Sequence, residues 1–202
     1  MDRREVLKLL ALSYALPALP ADLLAAFRSV HADLPATPAL KVLSAHQDAT
    51  VVAMAELIIP RTETPGAKDT RVNEFIDHIL ADWSSDEDRA RFLAGLDDVD
   101  VRTQKLCSKN FVDASLDQQS EILRLLGEEL AQASAVLANA PRGYRGSLPQ
   151  PDNNFYLRFR QLTLIGYFTS EAAFTQQLHG EIIPGRYDGC IPLPAAAPPK
   201  GA

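Results

Sequence analysis

One stripe constrains this chain more than any other feature: Val72, Phe75, Ile76, Ile79, Leu80 and Trp83. Their spacing of i, i+3, i+4, i+7, i+8 and i+11 is a continuous face of a 3.6-residue helix, and no strand alternates that way. A helix with one apolar face is stable only when other elements cover that face. The chain offers further helices as the cover and shows no convincing period-2 strand. The reading is therefore all-α: a single irregular bundle of about five to six helices with long ordered loops and an extended C-terminal tail.

The other helices follow from caps and stops. Ser44 caps a helix over roughly 45–59, with Val51, Val52, Ala55, Ile58 and Ile59 inward, and Pro60 ends it. Arg61 to Ala67 then reads as an ordered loop around the Pro65-Gly66 turn pair. Ser85 with Asp88 opens a third helix whose face is Phe92, Leu96, Val99, Thr103 and Leu106. Ser115 with Gln118 is a better capping box, and Ile122, Leu126, Leu130, Ala133 and Leu137 face inward after it. Residues 139–153 hold three prolines and two glycines and read as a loop. A fifth helix covers about 154–168 with Phe155, Phe159, Leu162 and Ile165, and Thr169-Ser170-Glu171 restarts a short helix to Leu178. The proline-rich segment from Ile182 to Ala202 cannot be helical.

Charge narrows the function classes. The net charge is −6, and residues 1–28 carry +1 (Arg3, Arg4, Lys8 and Arg28 against Asp2, Glu5 and Asp22), which leaves −7 on the rest. An acidic body without a basic cluster argues against nucleic-acid binding and against an electrostatic grip on anionic lipid. Two cysteines are too few for this chain to hold a zinc or iron–sulfur site alone, and there is no C-x-x-C-H haem attachment. His31, His46, His78 and His179 form neither H-x-x-x-H nor H-E-x-x-H. His78, beside the apolar stripe, reads as a hydrogen-bonded structural residue. Asp97-Asp98-Val99-Asp100 lacks the loop glycine of a calcium site and reads as a solvated helix face. No Glu-x-x-His pair supports a di-iron centre, and no G-x-S-x-G or strand-led glycine loop is present. Read from its own residues, the chain expects no catalytic residue, no metal and no cofactor.

The first residues are an address. Arg3 and Arg4 stand together before an apolar run from Leu9 to Leu16, in the layout of a bacterial twin-arginine export signal. The run is too short to span a bilayer, which takes about 20 apolar residues. Residues 1–35 are read as this signal and its linker, and 36–202 as one helical domain. Export routes the chain to the twin-arginine translocase and the periplasm. The alternative reading of the segment is a basic N-terminus before a first amphipathic helix.

Three loop motifs are more distinctive than the helices. Ile58-Ile-Pro-Arg-Thr-Glu-Thr-Pro-Gly-Ala67 is followed by Val72 and Phe75-Ile76-Asp77; Leu162 runs to Glu171 as LTLIGYFTSE; Pro184 runs to Cys190 as PGRYDGC. Together, over roughly residues 40–193, they make the chain resemble the gluconate 2-dehydrogenase subunit 3 family. The resemblance implies a small, non-catalytic subunit of a periplasmic, membrane-associated dehydrogenase. In such complexes the large catalytic subunit carries FAD and oxidises a sugar or sugar acid, and a multihaem cytochrome c subunit often passes electrons to the membrane. The small subunit is understood to support the flavin subunit's fold and escort it through the twin-arginine pore. The substrate belongs to the partner. Two alternatives stay open: a stand-alone periplasmic helical binding domain, and an enzyme such as a hydrolase.

An escort must bind before export, and proline-ordered loops lose less entropy on docking than flexible ones. The expected partner surface is therefore Thr64, Pro65 and Gly66 together with Tyr167, Phe168, Ser170 and Glu171. Gly66 is expected to supply a positive φ or a close backbone approach, and the aromatic pair to be either interface anchors or core. Cys107 and Cys190 are expected to form a disulfide that staples the tail, worth roughly 4.5 kcal/mol by chain-entropy arguments. The open alternatives are a plain buried Cys107 and a Cys190 paired to a partner cysteine.

Overall fold

In the computed structural model, residues 29–30, 40–139 and 154–178 are described, without the side chains of 137–139. The elements are α1 (Ala45–Ile58), α2 (Val72–Asp82), α3 (Asp86–Cys107), a 3-10 turn (Phe111–Asp113), α4 (Leu116–Asn139), α5 (Phe155–Thr169) and a π-helical turn (Ala173–Gln177). The fold is all-α, and no strand occurs among the described residues. The 140–153 loop, Arg3, Arg4, His31, His179, the extended tail and Cys190 lie outside the described residues, as does the side chain of Leu137.

Four of the five helices start where a side chain satisfies free N–H groups. Ser44 and Gln47 make a reciprocal capping box, Ser44 Oγ accepting from the Gln47 N–H at 3.2 Å and Gln47 Oε1 from the Ser44 N–H at 3.1 Å. Ser85 Oγ accepts from the Asp88 N–H, Ser115 and Gln118 repeat the box, and Asn154 Oδ1 accepts from the Leu157 N–H. The start of α2 differs. Arg71 sits in the left-handed region at φ 55° with no side-chain cap, and its guanidinium instead reaches forward to both carboxylate oxygens of Glu74.

The core is one cluster. From α2 it takes Val72, Phe75, Ile76, Ile79 and Leu80, all nearly inaccessible. Trp83 does not complete the stripe as expected: it is 56% exposed. The helix ends at Asp82, and Trp83 leaves the helical track at φ −121°. Leu106 is likewise 49% exposed rather than inward, one residue from the end of α3. In α1 the buried face is Thr50, Val51, Met54 and Ala55, while Val52, Ile58 and Ile59 are only half-buried. Leu123 joins Ile122, Leu126 and Leu130 in α4. Phe111, in the unforeseen 3-10 turn, is fully buried.

The helices approach closely where a side chain is missing. Gly95 lets the Phe155 ring sit against α3, since a Cβ there would lie 2.2 Å from the ring. Phe155 also meets Phe92 edge to face at 5.3 Å. Gly166 does the same for Phe75, at 2.7 Å. The α2–α5 and α3–α5 seams thus both depend on α5.

Two polar ties close the bundle. Asp77 is 2% exposed, and its carboxylate accepts from the backbone N–H groups of Lys41 (2.7 Å), Val42 (3.0 Å) and Leu43 (2.8 Å). That clasp pins the segment entering α1 to α2. His78 beside it is structural, as expected: Lys41 Nζ donates to its Nδ1 at 3.0 Å, and Lys41 also pairs with Asp82. The second tie corrects the reading of the acidic run in α3. Asp97 and Asp98 are exposed, but Asp100 is half-buried and accepts from the Phe111 N–H at 2.8 Å and pairs with His46 at 2.6 Å.

The segment read as signal and linker also enters the core. Ser29 and Val30 are helical, and Val30 is 2% exposed within the same cluster as Phe75 and Phe159.

Replacing Asp77 by alanine leaves three N–H groups without acceptors, one of them buried. The expected loss is about 2–4 kcal/mol of unfolding free energy, read from urea denaturation, and a loss under 1 kcal/mol contradicts the clasp.

Candidate functional site

The segment between α1 and α2 is a loop that the rest of the fold holds in one shape. Glu56, in the last turn of α1, accepts from the Arg61 N–H at 2.8 Å and from the Lys68 N–H at 3.1 Å. Asp69 accepts from the Gly66 N–H at 3.0 Å and pairs with Arg61 at 3.3 Å. The Ala67 N–H donates to the Ile59 carbonyl at 3.0 Å, and buried Thr70 donates its hydroxyl to the Ala67 carbonyl at 3.1 Å. A loop with its backbone groups satisfied this way resembles a rigid element more than a flexible connection.

Gly66 answers its expectation in one of the two ways foreseen. No glycine among the described residues has a positive φ. A Cβ at Gly66 would instead lie 2.6 Å from Glu56 Oε1 and 2.7 Å from the Arg61 nitrogen. The glycine is there for close approach.

The decisive contact comes from α5. Tyr167 donates its hydroxyl to the Pro65 carbonyl oxygen at 2.8 Å, across 102 residues of sequence. The two motifs at 58–67 and 162–171 therefore meet in space. Tyr167 itself is 2% exposed, its ring edge to face with Phe168 at 5.1 Å. Of the two roles left open for it, the ring packs as core, inside the same cluster as Phe75 and Phe159. Burial pushes the Tyr167 phenol above its ordinary range, and the nearby Asp69 and Glu56 carboxylates push the same way, while a hydrogen bond with Thr64 opposes them. Ser170 is also structural. It donates to the Tyr167 carbonyl at 2.6 Å and accepts at 3.2 Å from the N–H of Ala173, the first residue of the π-helical turn. Thr64, Pro65 and Phe168 are half-buried, and Glu171 is exposed.

What reaches solvent here is the rim: Arg61, Thr62 and Glu63, with Lys68 and Asp69 beside them. Glu56, Asp69 and Thr70 went unread in the sequence because hydrogen bonds from a carboxylate or hydroxyl to distant backbone leave no periodic trace. Glu56 and Asp69 accept from backbone N–H groups, and Asp69 also pairs with Arg61, so both carboxylates shape the loop. Cys107 lies elsewhere, half-buried at the end of α3, its thiol donating to the Thr103 carbonyl at 3.3 Å. Between α2, α3 and α5 there is a hollow of about 400 Å³ lined by Leu80, Ser84, Asp88, Arg91 and Arg158. Its Ser84 donates to the Ile79 carbonyl and its Arg91 pairs with Asp88 and Glu87. Among the described residues no group of three His, Cys, Asp or Glu side chains is placed to hold a metal, and no helix is long and apolar enough to cross a membrane.

The family model for gluconate 2-dehydrogenase subunit 3 matches residues 45–185. The chain belongs to the gluconate 2-dehydrogenase subunit 3 family. The matched span begins at the first residue of α1 and contains both motifs that Tyr167 joins. Membership places the protein among the subunits of dehydrogenase complexes, in an accessory position. No curated protein and no solved structure matches the chain.

Two outcomes follow for this subunit 3 loop. Tyr167→Phe removes only the hydroxyl bond and costs about 1 kcal/mol; Gly66→Ala forces Glu56 and the backbone apart and costs about 1–3 kcal/mol. Urea unfolding reads both, and a neutral Gly66→Ala contradicts the packing. The second outcome concerns alkaline pH. Burial raises the Tyr156 and Tyr167 phenols above their ordinary value of 10.0. A raised folded value means stability that is complete below about pH 10 and falls as pH rises through the folded value. Tyr167→Phe is expected to flatten part of that fall, measured by denaturation between pH 9 and 11.5.

Proposed function

We propose that this chain is the non-catalytic small subunit that binds and stabilises a FAD-dependent dehydrogenase catalytic subunit and is co-exported with it through the twin-arginine translocase. The complex then works in the periplasm, membrane-associated through its partner subunits, with a multihaem cytochrome c as an indirect neighbour. FAD belongs to the partner, and this chain contributes no cofactor ligand.

One observation carries the reading: within the family-matched region, Tyr167 fastens a loop whose backbone is already satisfied by Glu56 and Asp69. A surface ordered before binding loses little entropy on docking, which suits a subunit that must hold a folded passenger. The surface offered is the Arg61–Pro65 rim with Phe168 and Glu171, and the Tyr167 ring acts from behind it. Arg3 and Arg4 supply the address.

The test is co-expression with a flavin-binding dehydrogenase subunit that lacks its own signal. The expected result is co-purification of the two chains, flavin absorbance only with the partner, and both chains retained in the cytoplasm when Arg3 and Arg4 are replaced by lysine. A partner that reaches the periplasm beside the double mutant contradicts the escort role, and stoichiometric FAD on the isolated chain contradicts the non-catalytic role. Cys107 is a free thiol in this structure, and its proposed pairing with Cys190 is a step that follows export to the oxidising periplasm: non-reducing mass spectrometry of periplasmic protein is expected to give the linked peptide. Two free thiols, or Cys190 joined to another chain, reject it.

A further inference from the structure

Val30 stands in a stretch that reads as removable. The apolar part of the address ends by Leu16, and prolines and alanines follow to residue 38. A leader peptidase selects small or compact residues one and three positions before the cut. Val30-His31-Ala32 fits that pattern at least as well as Ala18-Leu19-Pro20-Ala21, and its cut would fall between Ala32 and Asp33.

The structure stands against that cut. Val30 is 2% exposed, helical with Ser29, and part of the single core cluster that holds Val51, Phe75 and Phe159. A peptidase binds its substrate extended, and a residue that is both helical and packed must first be unwound and withdrawn from the core. Removing it would also leave a valine-sized hole among side chains that cannot fully collapse into it. The twin-arginine route carries folded proteins, so this packing is in place before a peptidase meets the chain.

We infer that Ser29 and Val30 belong to the mature folded domain, that the leader ends N-terminal to Ser29, and that the Ala32–Asp33 bond is not a processing site. The processing half of this inference rests on the export reading; the packing half does not.

Intact-mass measurement on full-length protein expressed with its partner and recovered from the periplasm tests the first half. The expected mature chain begins at or before Ser29, and one that begins at Asp33 or later overturns the inference. Val30→Asp in the full-length chain tests the second half. Burying a carboxylate there is expected to lower the melting temperature by roughly 5–10 °C. An unchanged melting temperature for Val30→Asp overturns the inference in either compartment. A chain that never leaves the cytoplasm contradicts the export reading instead, and Val30→Asp still decides the packing.

Discussion

The seam between α2 and α5 is the contact on which the rest depends. Gly166 has no side chain, so the Phe75 ring lies where a Cβ would stand, 2.7 Å from the position such an atom would take. That closeness brings the next residue, Tyr167, within hydrogen-bond reach of the Pro65 carbonyl. The loop is then gripped from two sides: Tyr167 from α5, and Glu56 from the last turn of α1. A larger residue at 166 would push α5 away from α2, and the phenol would move with it. One glycine in a core helix thus sets the shape of an exposed loop about a hundred residues earlier.

Much of the fold was legible because helices announce their ends. Ser44, Ser85 and Ser115 each marked a start within a residue or so, and the stripe of α2 named five buried residues correctly. The two residues of the stripes that turn out most exposed sit at helix ends. Trp83 and Leu106 keep the apolar period, but the backbone stops being helical at or just after them, so the period no longer says which way the side chain points. Phe111 escaped because a three-residue turn has no period to read. Asp100 looked like part of a solvated acidic face; only the folded chain shows that the 3-10 turn comes back to place the Phe111 N–H on it.

The site was legible as a pair of motifs and not as a structure. Pro65-Gly66 marked a turn, and the sequence allowed Gly66 two reasons to exist, of which close approach is the one that holds. Tyr167 carried two readings as well, and burial chose the core. Its effect on the exposed rim is indirect: it holds the loop to which Arg61, Thr62 and Glu63 belong. Glu56 and Asp69 were invisible beforehand, although they do most of the holding. Family membership adds what geometry cannot, an accessory place in a dehydrogenase complex.

The 61–70 loop is ordered in the free chain, before any partner arrives. Hydrogen exchange of the backbone amides, followed on the isolated protein at neutral pH, tests it directly. The Arg61, Gly66, Ala67 and Lys68 amides, each bonded to a carboxylate or carbonyl, are expected to exchange orders of magnitude more slowly than those of an unstructured loop. Tyr167→Phe is expected to speed them selectively while leaving the α3 amides unchanged. Exchange at unstructured rates in the free chain, with protection appearing only in the complex, would contradict it and make the loop a product of binding.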